Sequence, residues 1–433
     1  MRTLLSLYRL LLVRNRPLTA ACVIFVVSLV CAFATGFWLL FRLSYLILAA
    51  VPLAYLWARW NLRGLEVSAE RRVDRVQEGQ YTEERISVRN RSWFSKVWLE
   101  VDDPSDLPGH SVRRVIILRP RGYRSWKATT LCRRRGLYTL GPVTVTGGDP
   151  FGLFRFSQRF GFRQRILVYP SAIDLPNFYV PPAHLPGEGR FRRRTHYVTP
   201  SAAGVRQYEF GDSFNRIHWP TTVRTGELMV KLFELDPASD IWVVLDLERT
   251  VHAGSGDDST EEYAVKIAAS VARYFLMANR SVGLLALGRT YDLVEPERGA
   301  QQYVRLLEAL ALARAEGDVP LANLLLREGK RFGRHTTVLV VTPSTDEGWV
   351  ESLQSLAQRG VKPAAILLEP GTFAPAEGGQ PGADRGSLFV FGALAASDIY
   401  TYLVKRSDDL ARALATGIEA PAAGVSLGAG GPP

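Results

Sequence analysis

The chain of 433 residues is 47% hydrophobic and 22% charged, which leaves room for two or three domains and excludes a broadly disordered polypeptide. Its net charge of +11 is unevenly spread: residues 1–58 carry 5 basic and no acidic side chains, 59–200 carry 26 against 13, and 201–433 carry 22 against 29. A basic front and an acidic back exclude a uniformly basic chromatin-type protein and point to parts with different neighbours.

Of the three cysteines, Cys22 and Cys31 lie in an apolar run and Cys132 in the polar part, so neither a disulfide framework nor a Cys-based zinc site can be assembled. The run from Leu18 to Ala58 is 41 residues long with one charge, Arg42, about twice the ~20 residues a helix needs to cross a bilayer. Two spans over roughly 18–34 and 38–58 are expected, reversing near Thr35 and Gly36, with residues 1–60 as a membrane anchor. Arg2, Arg9, Arg14 and Arg16 precede the first span and Arg59, Arg63, Arg71 and Arg72 follow the second. The positive-inside rule therefore places both termini and the soluble domains on the cytoplasmic side of the cell membrane. Ala32-Phe33-Ala34 resembles a signal cleavage site, but the second apolar segment would remain as an anchor after cleavage.

Residues 61–175 shift to short alternating stretches such as Val97-Trp-Leu-Glu-Val and Val115-Ile-Ile-Leu, broken by turn signals at Glu78-Gly79, Arg121-Gly122 and Gly147-Gly148-Asp149-Pro150. This pattern predicts an all-β, immunoglobulin-like sandwich. Residues 176–200 are rich in Pro, Gly and Arg and read as a linker or exposed loop. From 201 to 416, apolar runs alternate with helical patterns, predicting an α/β domain with a mostly parallel sheet. The pair Val282–Leu287 and Tyr291–Val294, joined by Gly288-Arg289-Thr290, predicts a hairpin with one antiparallel edge strand; Leu388–Phe391 reads as a strand and 398–415 as a last helix. The tail, 417–433, lacks the apolar content to fold.

The densest motif spans 205–234. Arg206, Tyr208, Gly211, Asp212, Arg216, Ile217, His218, Trp219, Arg224, Leu228, Val230, Lys231 and Glu234 fall on the signature of a bacterial family catalogued as domain of unknown function fifty-eight, which this segment resembles. Val223 departs from it, since alanine is more usual there. Arg135-Gly136-Leu-Tyr138-Thr-Leu140-Gly141-Pro142, leading to Asp149-Pro-Phe-Gly-Leu-Phe154, also resembles the family. The resemblance implies a membrane hairpin, a β domain and a Rossmann-like von Willebrand factor A-like domain, often encoded near AAA+ ATPases of the MoxR type; it supplies no activity. The residues themselves permit two readings: a seat for an anionic ligand or an acid–base pair, or a plainer clip of ion pairs and hydrogen bonds holding the segment in place.

An A-type domain commonly binds Mg²⁺ through D-x-S-x-S, a threonine in a second loop and an aspartate after the fourth strand. Here the positions read Asp246, Glu248 and Thr250, with Asp318 in the second loop and Asp346 in the third, and Arg249 adds a cation nearby. Asp246, Glu248, Thr250 and Asp346 are thus candidate ligands of Mg²⁺ or another divalent cation in a degenerate site. No phosphate-binding loop, G-x-S-x-G elbow or H-E-x-x-H is present. On a tethered chain, the arginine runs at 133–135 and 190–194 suit anionic lipid better than nucleic acid. The expectation is a membrane-anchored, non-enzymatic scaffold whose A-like domain binds a protein partner of the MoxR type, against a metal-dependent hydrolase or transferase as the alternative.

Overall fold

The computed structural model describes residues 16–180, 202–208, 217–233, 240–334, 336–374 and 385–415. The chain divides into two compact units, Met1–Tyr169 and Pro170–Pro433.

In the first unit, α1 (Arg16–Thr35) and α2 (Trp38–Leu62) turn back on each other through Gly36, whose φ of +63° is open to glycine without strain. Both are long and apolar enough to cross a membrane. Most of their Val, Leu, Ile and Phe side chains point outward, while the small residues Ser28, Ala32 and Ser44 are buried between them. Ser44 donates through Oγ to Ser28 Oγ at 3.1 Å, and Ser28 donates to the Leu40 carbonyl at 3.1 Å. Small residues with such bonds let two apolar helices approach where lipid offers no hydrophobic drive.

At ~1.5 Å per residue, the 25 residues of α2 reach about 37 Å, beyond a ~30 Å hydrocarbon core. Its last turn enters the β part of the unit. Leu62 joins its core, Asn61 donates to the Val97 carbonyl at 2.8 Å and accepts from the Val97 amide at 3.1 Å, and Lys96 Nζ donates to the Trp60 carbonyl. A buried cation on the last carbonyls of a helix complements its dipole, and burial lowers the Lys96 pKa.

The strands β1 (Leu65–Arg71), β2 (Arg75–Gln77), β3 (Tyr81–Asn90), β4 (Lys96–Asp102), β5 (Arg114–Leu118), β6 (Tyr123–Leu131), β7 (Gly136–Leu140), β8 (Val143–Gly148), β9 (Arg155–Phe160) and β10 (Gln164–Tyr169) follow. They form antiparallel sheets β1-β3-β6 and β5-β4-β8-β9 and a small mixed sheet β2-β10-β7. Alternation puts Ile86, Val88, Leu99, Val101, Val143 and Val145 on inner faces, where the two larger sheets share one core.

The second unit opens with β11 (Ala202–Gln207), α3 (Trp219–Thr225) and β12 (Met229–Phe233), the two strands pairing antiparallel. Then come β13 (Ile241–Leu245), α4 (Thr260–Met277), β14 (Val282–Leu287), β15 (Tyr291–Glu297), α5 (Ala300–Leu312), α6 (Leu321–Glu328), β16 (Thr337–Thr342), α7 (Gly348–Gln358), β17 (Lys362–Leu368), α8 (Arg385–Ala396), β18 (Tyr400–Val404) and α9 (Leu410–Ala413). The sheet order is β15-β14-β13-β16-β17-β18, with all neighbours parallel except the edge strand β15. Trp242, Val244, Leu285, Val338 and Val340 meet Leu324, Trp349, Leu353, Val390 and Leu394 from α6, α7 and α8. The predicted hairpin around 288–290 is present.

Two elements depart from expectation. Leu388–Phe391 lies within helix α8, because Val390 and Leu394, four apart, both reach the core beside Trp349 and Ile399. The stretch read as a last helix supplies strand β18, whose Tyr-Thr-Tyr-Leu-Val pairs in parallel with β17, and leaves the four-residue α9. A short, wholly apolar run has no period by which to tell helix from strand. Part of the expected linker, 181–200, and the tail 417–433 lie outside the described residues.

Candidate functional site

In an open parallel sheet, ligand crevices form beyond the carboxyl ends of the strands where the winding reverses. Here that point lies between β13, whose chain leaves toward β14, and β16 on its other side. Asp246, the residue after β13, occupies it and is 2% exposed. Its Oδ2 accepts from Thr342 Oγ1 at 2.5 Å and its Oδ1 from the Glu248 amide at 3.0 Å. Burial pushes its pKa up to about 6, against these two hydrogen bonds. Thr342 Oγ1 in turn accepts from the Ser344 amide at 2.9 Å, so one carboxylate ties the loops after β13 and β16 together.

The neighbouring loop is equally close. The Arg249 amide donates to the Gly317 carbonyl at 2.8 Å and the Gly317 amide to the Leu247 carbonyl at 3.0 Å. A Cβ on Gly317 would stand 2.6 Å from the Leu287 carbonyl oxygen, so only glycine fits that crossing. His252 bonds through Nε2 to the Asp246 carbonyl at 3.0 Å and through Nδ1 to Thr260 Oγ1 at 3.0 Å, anchoring this turn to the start of α4.

The proposed metal ligands do not converge. Glu248 Oε1 accepts from Thr250 Oγ1 at 2.5 Å, and Asp346 Oδ1 accepts from the Gly348 amide at 3.3 Å at the start of α7. Among the described residues, Asp246, Glu248 and Asp346 make no group whose oxygens lie within 4.8 Å of one another. Each oxygen set closes its own loop, which does not fit a shared divalent ion.

Within the 205–234 motif, Gly211, Asp212, Arg216 and Glu234 lie outside the described residues, as do the side chains of Arg206 and Lys231. The rest forms a strap. Tyr208 donates through its amide to the Leu228 carbonyl at 2.8 Å, His218 through its amide to the Met229 carbonyl at 2.7 Å, and Ile217 is buried opposite Val230. His218 Nδ1 shares a 2.7 Å hydrogen bond with Thr221 Oγ1, so this imidazole organises the start of α3. Trp219 and Val223, four apart on α3, are 61% and 82% exposed, and Arg224 is exposed beside them.

A third cluster escaped sequence reasoning because its members lie on separate strands and loops. In the β unit, the side chains of Arg71, Glu84, Asp103 and His110 are at most 6% exposed. Arg71 reaches Asp103 Oδ2 at 2.5 Å and Glu84 Oε2 at 3.3 Å, while His110 Nε2 lies 3.4 Å from Glu84 Oε1 and 3.8 Å from Asp103 Oδ2. Burial disfavours the imidazolium, but Asp103 and Glu84 outweigh it and raise the His110 pKa. Burial also opposes ionised Asp103, but the facing His110 imidazole and the hydrogen bond from Arg71 prevail and lower its pKa, whereas burial dominates at Glu84 and raises it. Two cations and two anions make a charge-balanced buried quartet when His110 is protonated.

Residues 204–369 match the family described as protein of unknown function DUF58. The chain is 26% identical over 350 residues to the uncharacterized protein YeaD of Bacillus subtilis, covering 78% of this chain and 83% of that protein. It is 27% identical over 173 residues to the uncharacterized protein Rv1480 of Mycobacterium tuberculosis, covering 38% of this chain and 54% of that protein. Among solved structures, the CARDB domain of PF1109 from Pyrococcus furiosus aligns with 24% of this chain and 94% of its own, at 13% identity and a TM-score of 0.18, a level that assigns no fold.

Proposed function

We propose that this protein is a membrane-anchored, non-enzymatic adaptor whose α/β unit binds a cytoplasmic protein partner, an AAA+ ATPase of the MoxR type. The observation that carries the reading is the exposed pair Trp219 and Val223 on α3, offered by a strap whose backbone is fixed by His218, Ile217 and Val230. Aromatic residues held outward on a fixed element are the usual anchors of protein interfaces. The basic flanks of the two apolar helices support a topology with both termini and both units in the cytoplasm. The sheet order, with its antiparallel edge strand and Asp246 at the switch point, supports a von Willebrand factor A-like assignment for the α/β unit, and the shared core of two antiparallel sheets supports an immunoglobulin-like one for the β unit.

Affinity purification of the full chain from solubilised membranes tests this. An ATPase co-purifies with the wild type and is lost with Trp219→Ala plus Val223→Asp, while the thermal transition of the chain is retained. Purification of the wild type without any ATPase overturns the reading.

A further inference from the structure

Three loops of the β unit open at the end where α2 enters it. The register pairs Leu65 with Asn90, Arg89 with Tyr123, Lys96 with Leu118, and Gly148 with Arg155, so the segments 91–95, 119–122 and 149–154 all lie at the helix-entry end. They carry Trp93, Phe94 and Phe151, each at least 68% exposed. Trp60 of α2 stacks on Phe94 with centroids 6.2 Å apart, and Tyr55 meets Phe154 and Phe156 edge-on at 5.5 and 5.7 Å. Tyr55 stands 7 residues, about 10 Å, before the helix end. A span that begins near Trp38 leaves the hydrocarbon within a few residues of Tyr55. The 149–154 loop therefore reaches the depth of the headgroups.

That loop is built to hold its aromatic residue outward. Asp149, 6% exposed, accepts from the Phe151 amide at 2.9 Å and the Phe154 amide at 2.5 Å, and Gly152 supplies the positive φ of +70°. The carboxylate is spent on the backbone, and Phe151 is left on the rim. Charge complements the aromatic residues: Arg59, Arg63, Arg119 and Arg121 are exposed at the same end, and the Arg121 guanidinium sits 3.9 Å over the Trp93 ring. Glu66, the nearby exposed acid, is paired with Arg91 at 2.9 Å.

We propose that these three loops form a docking surface for the acidic phospholipid headgroups of the leaflet from which α2 emerges, with Trp93, Phe94 and Phe151 inserted and the arginines on phosphate. Aromatic rings with adjacent cations at an apolar–polar boundary are suited to that layer. The proposal rests on α1 and α2 spanning the bilayer and explains the Asp149-Pro-Phe-Gly-Leu-Phe154 motif, which partner binding leaves unused.

The full chain, reconstituted in phosphatidylethanolamine and phosphatidylglycerol vesicles, provides the test. With the native cysteines replaced, single cysteines at Trp93, Phe151 and Phe162 carry an environment-sensitive fluorophore; Phe162 is 82% exposed in the turn between β9 and β10, at the far end of the same sheet. A fourth variant keeps only Cys22, within α1. Lipids with a nitroxide near the headgroup should quench probes at 93 and 151 at least about twofold more than at 162. Quenching at Cys22 with 93 and 151 no more affected than 162 overturns the docking surface alone. No quenching at Cys22 by nitroxides at any depth overturns the spanning helices and the docking surface together. A probe at 93 and 151 that is shielded from water yet unquenched by lipid identifies a protein cover and also overturns the proposal.

Discussion

Replacing Asp103 by asparagine removes one charge from the buried quartet while leaving its volume nearly unchanged, so the effect is electrostatic. Asp103 is fully buried, bonds Arg71 at 2.5 Å and faces His110 at 3.8 Å. Breaking a buried pair by removing one partner costs about 3–5 kcal/mol, which at ~1.36 kcal/mol per decade is roughly 10²- to 10⁴-fold more opening of the β unit. Cys132, fully buried in that unit, reports the opening through its rate of thiol labelling once Cys22 and Cys31 are replaced by alanine. Rates are normalised at each pH to the denaturant-unfolded chain. The pH profile adds a second constraint. Because the folded His110 pKa is raised above its ordinary 6.5, the stability it contributes is complete below that value and is lost as pH rises through the folded one. Asp103 acts oppositely: its folded pKa lies below the ordinary 3.8, so its contribution holds above that value and fades as pH falls through the folded one. Wild-type opening should therefore increase above about pH 6.5, and the Asp103→Asn profile should flatten there. A rate within about fivefold of wild type, near 1 kcal/mol, would refute the coupling.

Three further outcomes follow from the same geometry. Ionising Asp246, whose pKa is raised from 3.8 to about 6, costs on the order of 3 kcal/mol; Asp246→Asn should remove the loss of stability of the α/β unit between about pH 4 and 6, measured by thermal melts. Calorimetric titration of the full chain with millimolar Mg²⁺ or Mn²⁺ should give no saturable heat, and a binding isotherm abolished by Asp246→Asn would show that the loops rearrange into a metal site. Asn61→Leu should cost about 2–3 kcal/mol by stranding the Val97 amide and carbonyl, seen as faster labelling of Cys132, whereas Asn61→Asp should recover part through the amide bond.

The helical hairpin was legible because a 41-residue apolar run with one charge leaves little else for the backbone to do, and the parallel sheet because apolar runs alternated with helical periods. Periodicity failed where it was lacking, at Leu388–Phe391, and at Tyr400–Val404, where pairing with β17 decided the outcome. Asp246 was visible as an aspartate after a strand, but its role was not. Only the tertiary structure shows Thr342 and Glu248 occupying its two oxygens and Glu248 and Asp346 turned to their own loops.

The buried quartet and the aromatic rim at the helix-entry end lay beyond reach of the sequence for one reason. Each gathers residues from separate strands and loops, brought together by a strand register that local pattern does not specify. Composition and charge spacing determined that this chain has an apolar helical hairpin, a basic β-rich middle and an acidic α/β end. Which charges meet in the dry interior, and which rings are left at the foot of α2, was decided by strand pairing, since only pairing sets the distances over which desolvation and Coulomb attraction compete.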